Sequence, residues 1–227
     1  MSSALPLYPV ALLLTGRRCL VVGAGPVAQR KVEGLLAAQA QVTVVAPEVV
    51  EEIAALPVRI ERRPYERGEA AGYFLVITAT GIPEIDRAVF ADGDRAGVLV
   101  NAADDVPGCS FILPAVARRG DVTIAVSTGG RSPALAGWLR DGIESGLPGN
   151  LAALASLVAE SRDAIRAAGR PSEGLPWRAL LDGPLPELVA AGELERAHRL
   201  VARWIDRILD PTNQRRDAAD RGPGADE

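Results

Sequence analysis

Two neighbouring carboxylates, Asp104 and Asp105, follow an apolar run in the segment VLVNAADDVPGCS, where a β-strand is expected to end. Ligands and reacting groups of parallel sheets gather beyond the carboxyl ends of the strands. A carboxylate in that position can take a proton from a substrate, so the pair is a candidate acid-base site. Aspartates are also common turn and helix-capping residues, and both interpretations stay open on the residues alone.

A glycine-rich turn lies earlier in the chain, between the apolar run RCLVV and a helical pattern. It matches the strand, Gly-x-Gly-x-x-Ala, helix fingerprint of dinucleotide-binding proteins in its required context. The first glycine permits the tight turn, the second permits a pyrophosphate to approach the backbone, and the alanine permits close packing of helix and strand. We expect a dinucleotide to bind at Gly23, Gly25, Pro26, Val27 and Ala28.

The next predicted strand ends in Val45-Ala46-Pro47-Glu48, which points to the adenosine side of the cofactor. Glu48 comes two residues later than the usual acid that binds the ribose, and positions 45–50 contain no arginine for a 2′-phosphate. We therefore expect NAD rather than NADP, with Pro47 and Glu48 among its contacts. Thr80, after the fourth predicted strand, either lines the dinucleotide or belongs to an ordinary strand-to-helix turn.

A second glycine turn, STGGRSP at residues 127–133, repeats the order of strand, turn and helix. Such a turn offers backbone N–H groups to an anion, and Arg131 can add a charge-assisted hydrogen bond. A plain connection would have the same form. Together with Asp104, the turn predicts one cleft that combines anion binding with acid-base chemistry.

The elements that must position these residues alternate between strand and helix from residue 17 to residue 101. Short β-branched runs separated by helical periodicity predict an α/β fold, a Rossmann-type doubly wound parallel sheet. Two strand-like runs, SFILPAVARRG and DVTIAVST, come next, and a helix is expected to begin with Ser132 as its N-cap and Pro133 at its first position. Beyond residue 149 the patterns are helical, with Asn150 as the expected cap of the first helix.

These patterns divide the chain into four predicted regions. They are a Rossmann domain (1–104), a small α+β segment (105–148), a C-terminal helical domain (149–210) and a polar, disordered tail (211–227).

Composition excludes several classes of function. With 48% hydrophobic residues and a net charge of −4, the chain is expected to be globular and not to bind nucleic acid. Cys19 and Cys109 lack metal-ligand spacing, and His198 is expected to be a partly exposed helix residue, so no metal site is predicted. The N-terminal apolar run LPLYPVALLL is short and lacks a basic flank, which argues against a signal peptide or a membrane span. We expect a reduced, cytoplasmic protein.

Four segments, in this order and spacing, resemble the precorrin-2 dehydrogenase/sirohydrochlorin ferrochelatase family of siroheme biosynthesis. They are LPLYPVALLLTGRRCLVVGAGPVAQRKVEGLL, VTVVAPE, VNAADD and SFILPAVARRGDVTIAVSTGGRSPALAGWLR. The resemblance is close over residues 5–148 and loose over the helical remainder. It implies that NAD takes a hydride from precorrin-2, a carboxylate-rich cyclic tetrapyrrole, to give sirohydrochlorin. Some relatives carry a methyltransferase domain after this region, and we expect methylation here to be the work of another protein.

The resemblance also implies roles for individual residues. Asp104 matches the family's essential aspartate, the proposed base, and Asp105 would be a solvated neighbour. The residues implied to line the tetrapyrrole pocket are Asn101, Ser127, Thr128, Gly129 and Arg131. A homodimer is implied, in which segment 105–148 forms both the subunit contact and part of the substrate pocket.

Some members of the family also insert iron into sirohydrochlorin in the same cleft. Because both kinds of member share all the motifs quoted, the sequence leaves open whether Fe²⁺ (or Co²⁺) is a further substrate. Two alternatives outside the family also remain. One is an NAD-binding regulatory module without tetrapyrrole chemistry, and the other is a dehydrogenase of an unrelated small substrate.

Overall fold

The computed structural model describes residues 6–103 and 105–210 of the chain. The candidate base Asp104 and the predicted tail, 211–227, therefore lie outside the described residues. The described residues form two compact units. The first runs up to Pro114 and includes Ser127–Pro133, and the second contains Ala115–Val126 and the chain from Ala134 onward. The four-region division of the chain stays a prediction.

The first unit is built on a five-stranded sheet in which every pairing is parallel. The strands lie in the order β3-β2-β1-β4-β5. Their bounds are β1 Arg18–Val22, β2 Gln41–Val45, β3 Arg59–Glu61, β4 Leu75–Thr78 and β5 Leu99–Ala102. The strand order reverses direction between β1 and β4, which creates the crevice in which open α/β sheets bind ligands. The predicted doubly wound parallel sheet is confirmed.

Helices cover both faces of this sheet because alternate side chains of each strand point to opposite faces. In β1, Cys19 and Val21 belong to a core cluster with Val32 of helix α1 (Pro26–Ala37). Leu20 and Val22 belong to a second cluster, which contains Val89 of helix α3 (Pro83–Arg95). A short helix, α2 (Glu51–Ala54), adds Ile53 to the first cluster. The β-branched runs that predicted strands are thus buried on both faces.

A buried carboxylate ties the connection between β3 and β4 to helix α3. The side chain of Asp92 is 1% exposed and accepts hydrogen bonds from the Gly68 backbone N–H at 2.8 Å, the Tyr65 hydroxyl at 3.1 Å and Arg67 at 2.8 Å. Burial alone would raise the pKa of Asp92, but these hydrogen bonds and the Arg67 charge outweigh it and lower that pKa. The ionised carboxylate therefore holds Tyr65 and its loop against α3.

The second unit begins with an antiparallel hairpin of β6 (Ala115–Arg119) and β7 (Val122–Val126), in which Ala115 lies opposite Val126. The predicted strand-like run SFILPAVARRG is strand only from Ala115 onward. Pro114 has no N–H to give to a ladder, and Ser110 and Phe111 are instead hydrogen bonded to β5.

Helices complete the second unit. They are α4 (Pro133–Gly146), α5 (Leu151–Ala167), α6 (Trp177–Leu181), α7 (Leu185–Ala190) and α8 (Leu194–Leu209). Ile165, Leu185 and Trp204 are among the residues of their buried core. The expectation that Asn150 caps α5 is wrong in one respect, because its side chain makes no capping hydrogen bond. No helix among the described residues has both the length and the apolar character needed to cross a membrane.

Candidate functional site

A cavity of about 580 Å³ opens beyond the carboxyl ends of β1 and β2, in the first unit. Its wall includes Gly23 and Gly25 of the fingerprint turn, Pro47 and Glu48 after β2, and Thr80 after β4. The volume falls within the range of about 300–1,000 Å³ that is usual for small-molecule sites. Five of the eight residues predicted to bind the cofactor thus line one cavity. The other three, Pro26, Val27 and Ala28, lie in the first turn of α1.

Gly23 is required by the turn itself. Its φ is +100°, and a Cβ atom there would lie 2.4 Å from the backbone oxygen of Ala79. The two chain segments approach this closely because the Gly23 N–H donates to the Val45 carbonyl, while the Ala79 N–H donates to the Val22 carbonyl. Only a residue without a side chain fits between β1 and the end of β4.

Gly25 has the opposite character. It is the N-cap of α1, its φ of −90° is accessible to any residue, and no side chain caps the helix there. A Cβ atom at Gly25 would meet no atom within 4 Å apart from those of its two neighbours in the chain. The space over Gly25 therefore faces the cavity and the first N–H groups of α1, which attract an anionic group. The turn fits a dinucleotide pyrophosphate, as the fingerprint predicts.

The charge of the cavity wall favours a cofactor without a 2′-phosphate. Glu48 is a wall residue, and among the described residues that line the cavity there is no lysine or arginine. A carboxylate can accept hydrogen bonds from the ribose hydroxyls of NAD, whereas it would repel the 2′-phosphate of NADP. This charge pattern supports the sequence-based expectation of NAD.

A substitution of Glu48 tests this preference. In Glu48→Ala, we expect the Kd for NAD to rise about ten-fold, equivalent to the loss of about 1.4 kcal/mol, because the ribose loses an ionic hydrogen-bond acceptor. The Kd for NADP should fall, since the repulsion is removed. Calorimetric titration with both cofactors measures the ratio, and Glu51→Ala in the neighbouring helix is the control. An unchanged NAD/NADP ratio in Glu48→Ala would remove Glu48 from the ribose site.

Thr80 lines the cavity but uses its hydroxyl locally. Its Oγ1 donates to Asp86 Oδ1 at 2.7 Å and accepts from the Ile82 N–H at 3.0 Å. Thr78, which is fully buried at the end of β4, also donates to Asp86 Oδ1. This cluster organises the turn from β4 into α3. A direct contact between Thr80 and the cofactor stays a prediction.

One wall of the cavity, which was not predicted from the sequence, is formed by Pro64 and Tyr65 after β3. Burial raises the pKa of Tyr65 to about 12, so the phenol is protonated at neutral pH. Its hydroxyl donates to the buried carboxylate of Asp92 and accepts the Ala70 N–H at 3.2 Å. The ring is therefore held in place by its polar end. The signal in the sequence was weak, since a tyrosine in a polar loop carries no motif.

The end of β5 leads into the segment that contains the candidate base. β5 pairs with β4 so that Ala102 lies opposite Thr78, and both strand ends reach the same edge of the sheet. Asp104 follows Ala102 by two residues in the chain. The side chain of Asn101 is buried, and its amide nitrogen donates to the Phe111 carbonyl at 3.0 Å and to the Cys109 sulfur at 3.4 Å. Asn101 thus anchors the loop, and its predicted contact with the substrate stays untested.

The second glycine turn lies in the same compact unit as the sheet. Gly129 and Gly130 both have positive φ, of 64° and 75°. Thr128 Oγ1 accepts the Ser132 N–H and donates to the Ser132 carbonyl, each at 3.0 Å, while Ser127 Oγ accepts the Gly129 N–H at 3.2 Å. Both hydroxyls hold the turn in shape, and the side chain of Arg131 is exposed.

Metal-binding side chains are not gathered in the part of the chain that the structure describes, where no group of three His, Cys, Asp or Glu residues could hold an ion. His198 is exposed on α8, with its Nδ1 2.7 Å from the Leu194 carbonyl. This position agrees with the expectation of an exposed helix residue.

Comparisons with known proteins bear on the same residues. A family described as "Putative NAD(P)-binding" matches residues 10–115, and a family described as "Sirohaem biosynthesis protein central" matches residues 119–146. A siroheme synthase of Chromobacterium violaceum is 38% identical over 211 residues, which are 88% of this chain and 45% of that protein. One from Thioalkalivibrio sulfidiphilus is 39% identical over 209 residues, 89% of this chain and 43% of that protein.

Among solved structures, a protein named "SirC, precorrin-2 dehydrogenase" matches with a TM-score of 0.69 and 26% identity. The match covers 88% of this chain and 100% of the other. The sheet, the fingerprint turn and the cavity define the class, a Rossmann-type NAD(P)-binding protein. The chain is similar to siroheme synthases over nearly nine-tenths of its own length, and it spans a little under half the length of the relatives from Chromobacterium and Thioalkalivibrio.

Proposed function

We propose that the chain is a precorrin-2 dehydrogenase that uses NAD to form sirohydrochlorin in siroheme biosynthesis. The observation that carries this proposal is the structural match to SirC, a precorrin-2 dehydrogenase, which extends over the whole of that protein. The cavity at the strand order reversal, with Gly25 open beneath it, supports the cofactor half of the proposal. The central sirohaem match over residues 119–146 supports the tetrapyrrole half.

The reaction removes one hydride and one proton from precorrin-2. NAD, when bound, supplies the hydride acceptor. In this proposal the residues of the chain hold the cofactor, with the N–H groups of α1 at the pyrophosphate and Glu48 at the ribose. The chain must then also provide a base for the proton. The free energy of activation of this step depends on placing that base close to the proton that it removes.

We assign the base to Asp104, which lies outside the described residues. Two observations support the assignment. Asp104 follows the last residue of β5 by two positions in the sequence, and β5 ends beside β4 at the same edge of the sheet. The family resemblance also assigns an essential aspartate to this position of the sequence. Asp105, which is described, uses its backbone carbonyl to accept the Gly108 N–H at 3.0 Å. That hydrogen bond makes it part of the loop's structure.

The turn at residues 127–131 is proposed to bind the carboxylates of the tetrapyrrole. Its exposed Arg131 supplies a positive charge, while the Ser127 and Thr128 hydroxyls bond the Gly129 and Ser132 N–H groups and so hold the turn in shape. In a chain with net charge −4, a polycarboxylate needs such local donors. In this proposal Asn101 contributes to the pocket indirectly, because its amide anchors the segment at Cys109 and Phe111.

A homodimer is proposed as the working form. Helix α4 exposes Leu135, Leu139 and Ile143 together with Trp138, whose exposed fraction is 70%. An exposed apolar stripe of this kind is typical of a subunit interface. We expect sedimentation at micromolar concentration to give twice the mass of the chain, and Trp138→Glu to shift the mass to that of one chain. A single-chain mass for the unmodified protein would contradict the dimer.

The experiment that tests the function supplies precorrin-2 and NAD to the purified protein and records NADH. Formation of NADH with both substrates present, and none when either is omitted, supports the dehydrogenase. Binding of NAD without NADH formation would favour the regulatory-module alternative.

We propose a cytoplasmic location, since both cysteines are free thiols.

Iron insertion stays a prediction of the family resemblance. It is tested by supplying sirohydrochlorin and Fe²⁺ anaerobically, with and without the protein. A metallation rate that the protein does not change would restrict the function to the dehydrogenase.

A further inference from the structure

Part of the cofactor cavity has an apolar and aromatic wall, formed by Pro64 and Tyr65 after β3 and by Ile82 and Ile85 at the start of α3. Ile82 is 48% exposed although its side chain is large and apolar. Exposed apolar surface in the wall of a cavity is typical of ligand sites, where the ligand covers it. We therefore expect this wall to accept a flat, apolar part of the cofactor rather than its phosphates.

The make-up of the cavity indicates which end of a dinucleotide it holds. Of the described residues, those that line it follow β1, β2, β3 and β4, and none follows β5. Because the substrate is proposed to react at the edge where β5 ends, the cavity is the half of the site that is remote from the substrate. Glu48, in the same wall, is proposed to bind the adenosine ribose. The base attached to that ribose is adenine, which is flat and aromatic.

The hydroxyl of Tyr65 is already engaged by the protein. It donates to Asp92 Oδ2 at 3.1 Å and accepts the Ala70 N–H at 3.2 Å. A phenol has a single proton to donate. Tyr65 therefore offers the cavity its ring rather than a hydrogen-bond donor, and an aromatic ring packs well against a planar base.

The bond between Tyr65 and Asp92 is charge-assisted. Burial raises the pKa of Tyr65 to about 12, whereas for Asp92 the hydrogen bonds from Gly68 and Tyr65 and the charge of Arg67 outweigh burial and lower the pKa. At neutral pH a protonated phenol thus donates to an ionised carboxylate, a bond about twice as strong as one between neutral groups. Water does not compete for it, since the Asp92 side chain is 1% exposed.

We propose that Tyr65 provides the aromatic face against which the adenine of NAD packs, and that Asp92 is a positioning residue that acts through the Tyr65 hydroxyl. The proposal rests on the cofactor half of the proposed function. Asp92 itself is not a wall residue of the cavity. It restricts the rotation of the phenol ring before the cofactor arrives, so that less conformational entropy is lost when NAD binds.

Variants of Tyr65 in the full chain test the aromatic face, with calorimetric titration of NAD and of ADP, which lacks nicotinamide. In Tyr65→Ala we expect both Kd values to rise by the same factor, about ten-fold to 100-fold, because the contact with the base is lost. Tyr73→Phe is the matched control and should stay within about two-fold, since Tyr73 lies outside the cavity wall, beside Arg18. Unchanged Kd values in Tyr65→Ala, or a rise for NAD alone, would overturn the proposal.

The role of Asp92 is tested by its coupling to the Tyr65 hydroxyl. Tyr65→Phe keeps the ring but frees it, and we expect the Kd for NAD to rise about three-fold to ten-fold. Asp92→Asn should raise it by a similar factor in the unmodified chain and by less than about two-fold in Tyr65→Phe. A merely structural role would lower the affinity equally in both backgrounds, and that result would overturn the positioning role.

Stability measurements keep this test decisive. Thermal unfolding shows whether each variant folds, and Asp92→Asn should be less stable in both backgrounds because its contacts with Gly68 and Arg67 are also weakened. Should Asp92→Asn fail to fold, Tyr65→Phe alone decides, since it removes the hydroxyl and retains the buried carboxylate. Normal NAD affinity in a folded Tyr65→Phe would overturn the role of Asp92.

Kinetics separate this inference from the proposed function. In Tyr65→Ala we expect KM for NAD to rise with its Kd while kcat at saturating NAD stays within about two-fold, because the adenine end takes no part in hydride transfer. A chain that binds NAD but forms no NADH would overturn the dehydrogenase function. Unchanged Kd values in Tyr65→Ala, in a chain that forms NADH, would overturn only the adenine contact.

Discussion

Replacing Asp104 with asparagine is expected to abolish NADH formation from precorrin-2 while leaving NAD affinity within about three-fold. General acid-base catalysis contributes about 100-fold to 10,000-fold in rate, and an amide cannot take the proton that leaves with the hydride. The cofactor should still bind because its cavity is built from β1, β2 and β4 rather than from the β5 loop. Initial rates with precorrin-2 and titration with NAD measure the two quantities separately.

Asp105→Asn is the matched control, since it changes the adjacent carboxylate in the same way. The hydrogen bonds of Asp105 that the structure describes are made by its backbone, which the substitution retains. We expect its turnover to stay within about three-fold of that of the unmodified chain, because the substitution removes no hydrogen bond that the structure describes. Normal turnover in Asp104→Asn would remove the catalytic assignment. Equal losses of turnover in both variants would assign the acid-base role to the two carboxylates jointly.

Gly23→Ala is expected to lower stability and to abolish NAD binding together. The new Cβ would lie 2.4 Å from the Ala79 oxygen at a φ of +100°, so β1 and the end of β4 must separate or the turn must change. A left-handed conformation alone costs about 1–3 kcal/mol for a residue with a side chain, and the steric overlap adds to it. Chemical denaturation measures the first effect and calorimetric titration the second.

Gly25→Ala separates the cofactor effect from the folding effect. Its Cβ meets no protein atom within 4 Å and its φ of −90° is unstrained, so stability should be nearly unchanged. NAD affinity should still fall about ten-fold or more, because the methyl group occupies space over the first turn of α1. Tight NAD binding by Gly25→Ala would show that the pyrophosphate lies elsewhere.

The parallel sheet was predictable because its cause is local. Runs such as RCLVV and QVTVV begin with one exposed polar residue and continue with four buried residues that are mostly β-branched or apolar, as in strands covered on both faces. Gly23 was likewise predictable, since only glycine suits the turn after such a strand. In these elements the local conformational preference of each residue agrees with its environment in the folded chain.

Residues whose roles depend on distant partners were predicted less well. Tyr65 lines the cavity because Asp92, on α3, holds its hydroxyl, and no pattern joins positions so far apart. The segment SFIL has strand composition, yet Ser110 and Phe111 are bonded to β5 by a mixture of side-chain and backbone contacts. Local propensity cannot anticipate this kind of tertiary pairing.

Cys109 illustrates the same limit within the candidate site. In the sequence it is a loop cysteine without a motif, and the absence of metal-ligand spacing left it without a role. Its contacts become visible only in the structure, where the returning chain brings the sulfur within 3.2 Å of the Ala102 nitrogen and of the Asp105 carbonyl oxygen. Asn101, predicted to contact substrate, likewise donates to that returning segment.

The most direct test of the account is an anaerobic single turnover with enzyme in excess over precorrin-2 and with NAD present. We expect one NADH to appear for each sirohydrochlorin formed, at the same rate, because hydride loss and product formation are one step. Substituting NADP should slow the reaction at least ten-fold, equivalent to about 1.4 kcal/mol of discrimination at the Glu48 wall. Sirohydrochlorin formed without NADH, or no reaction at all, would contradict the proposed function.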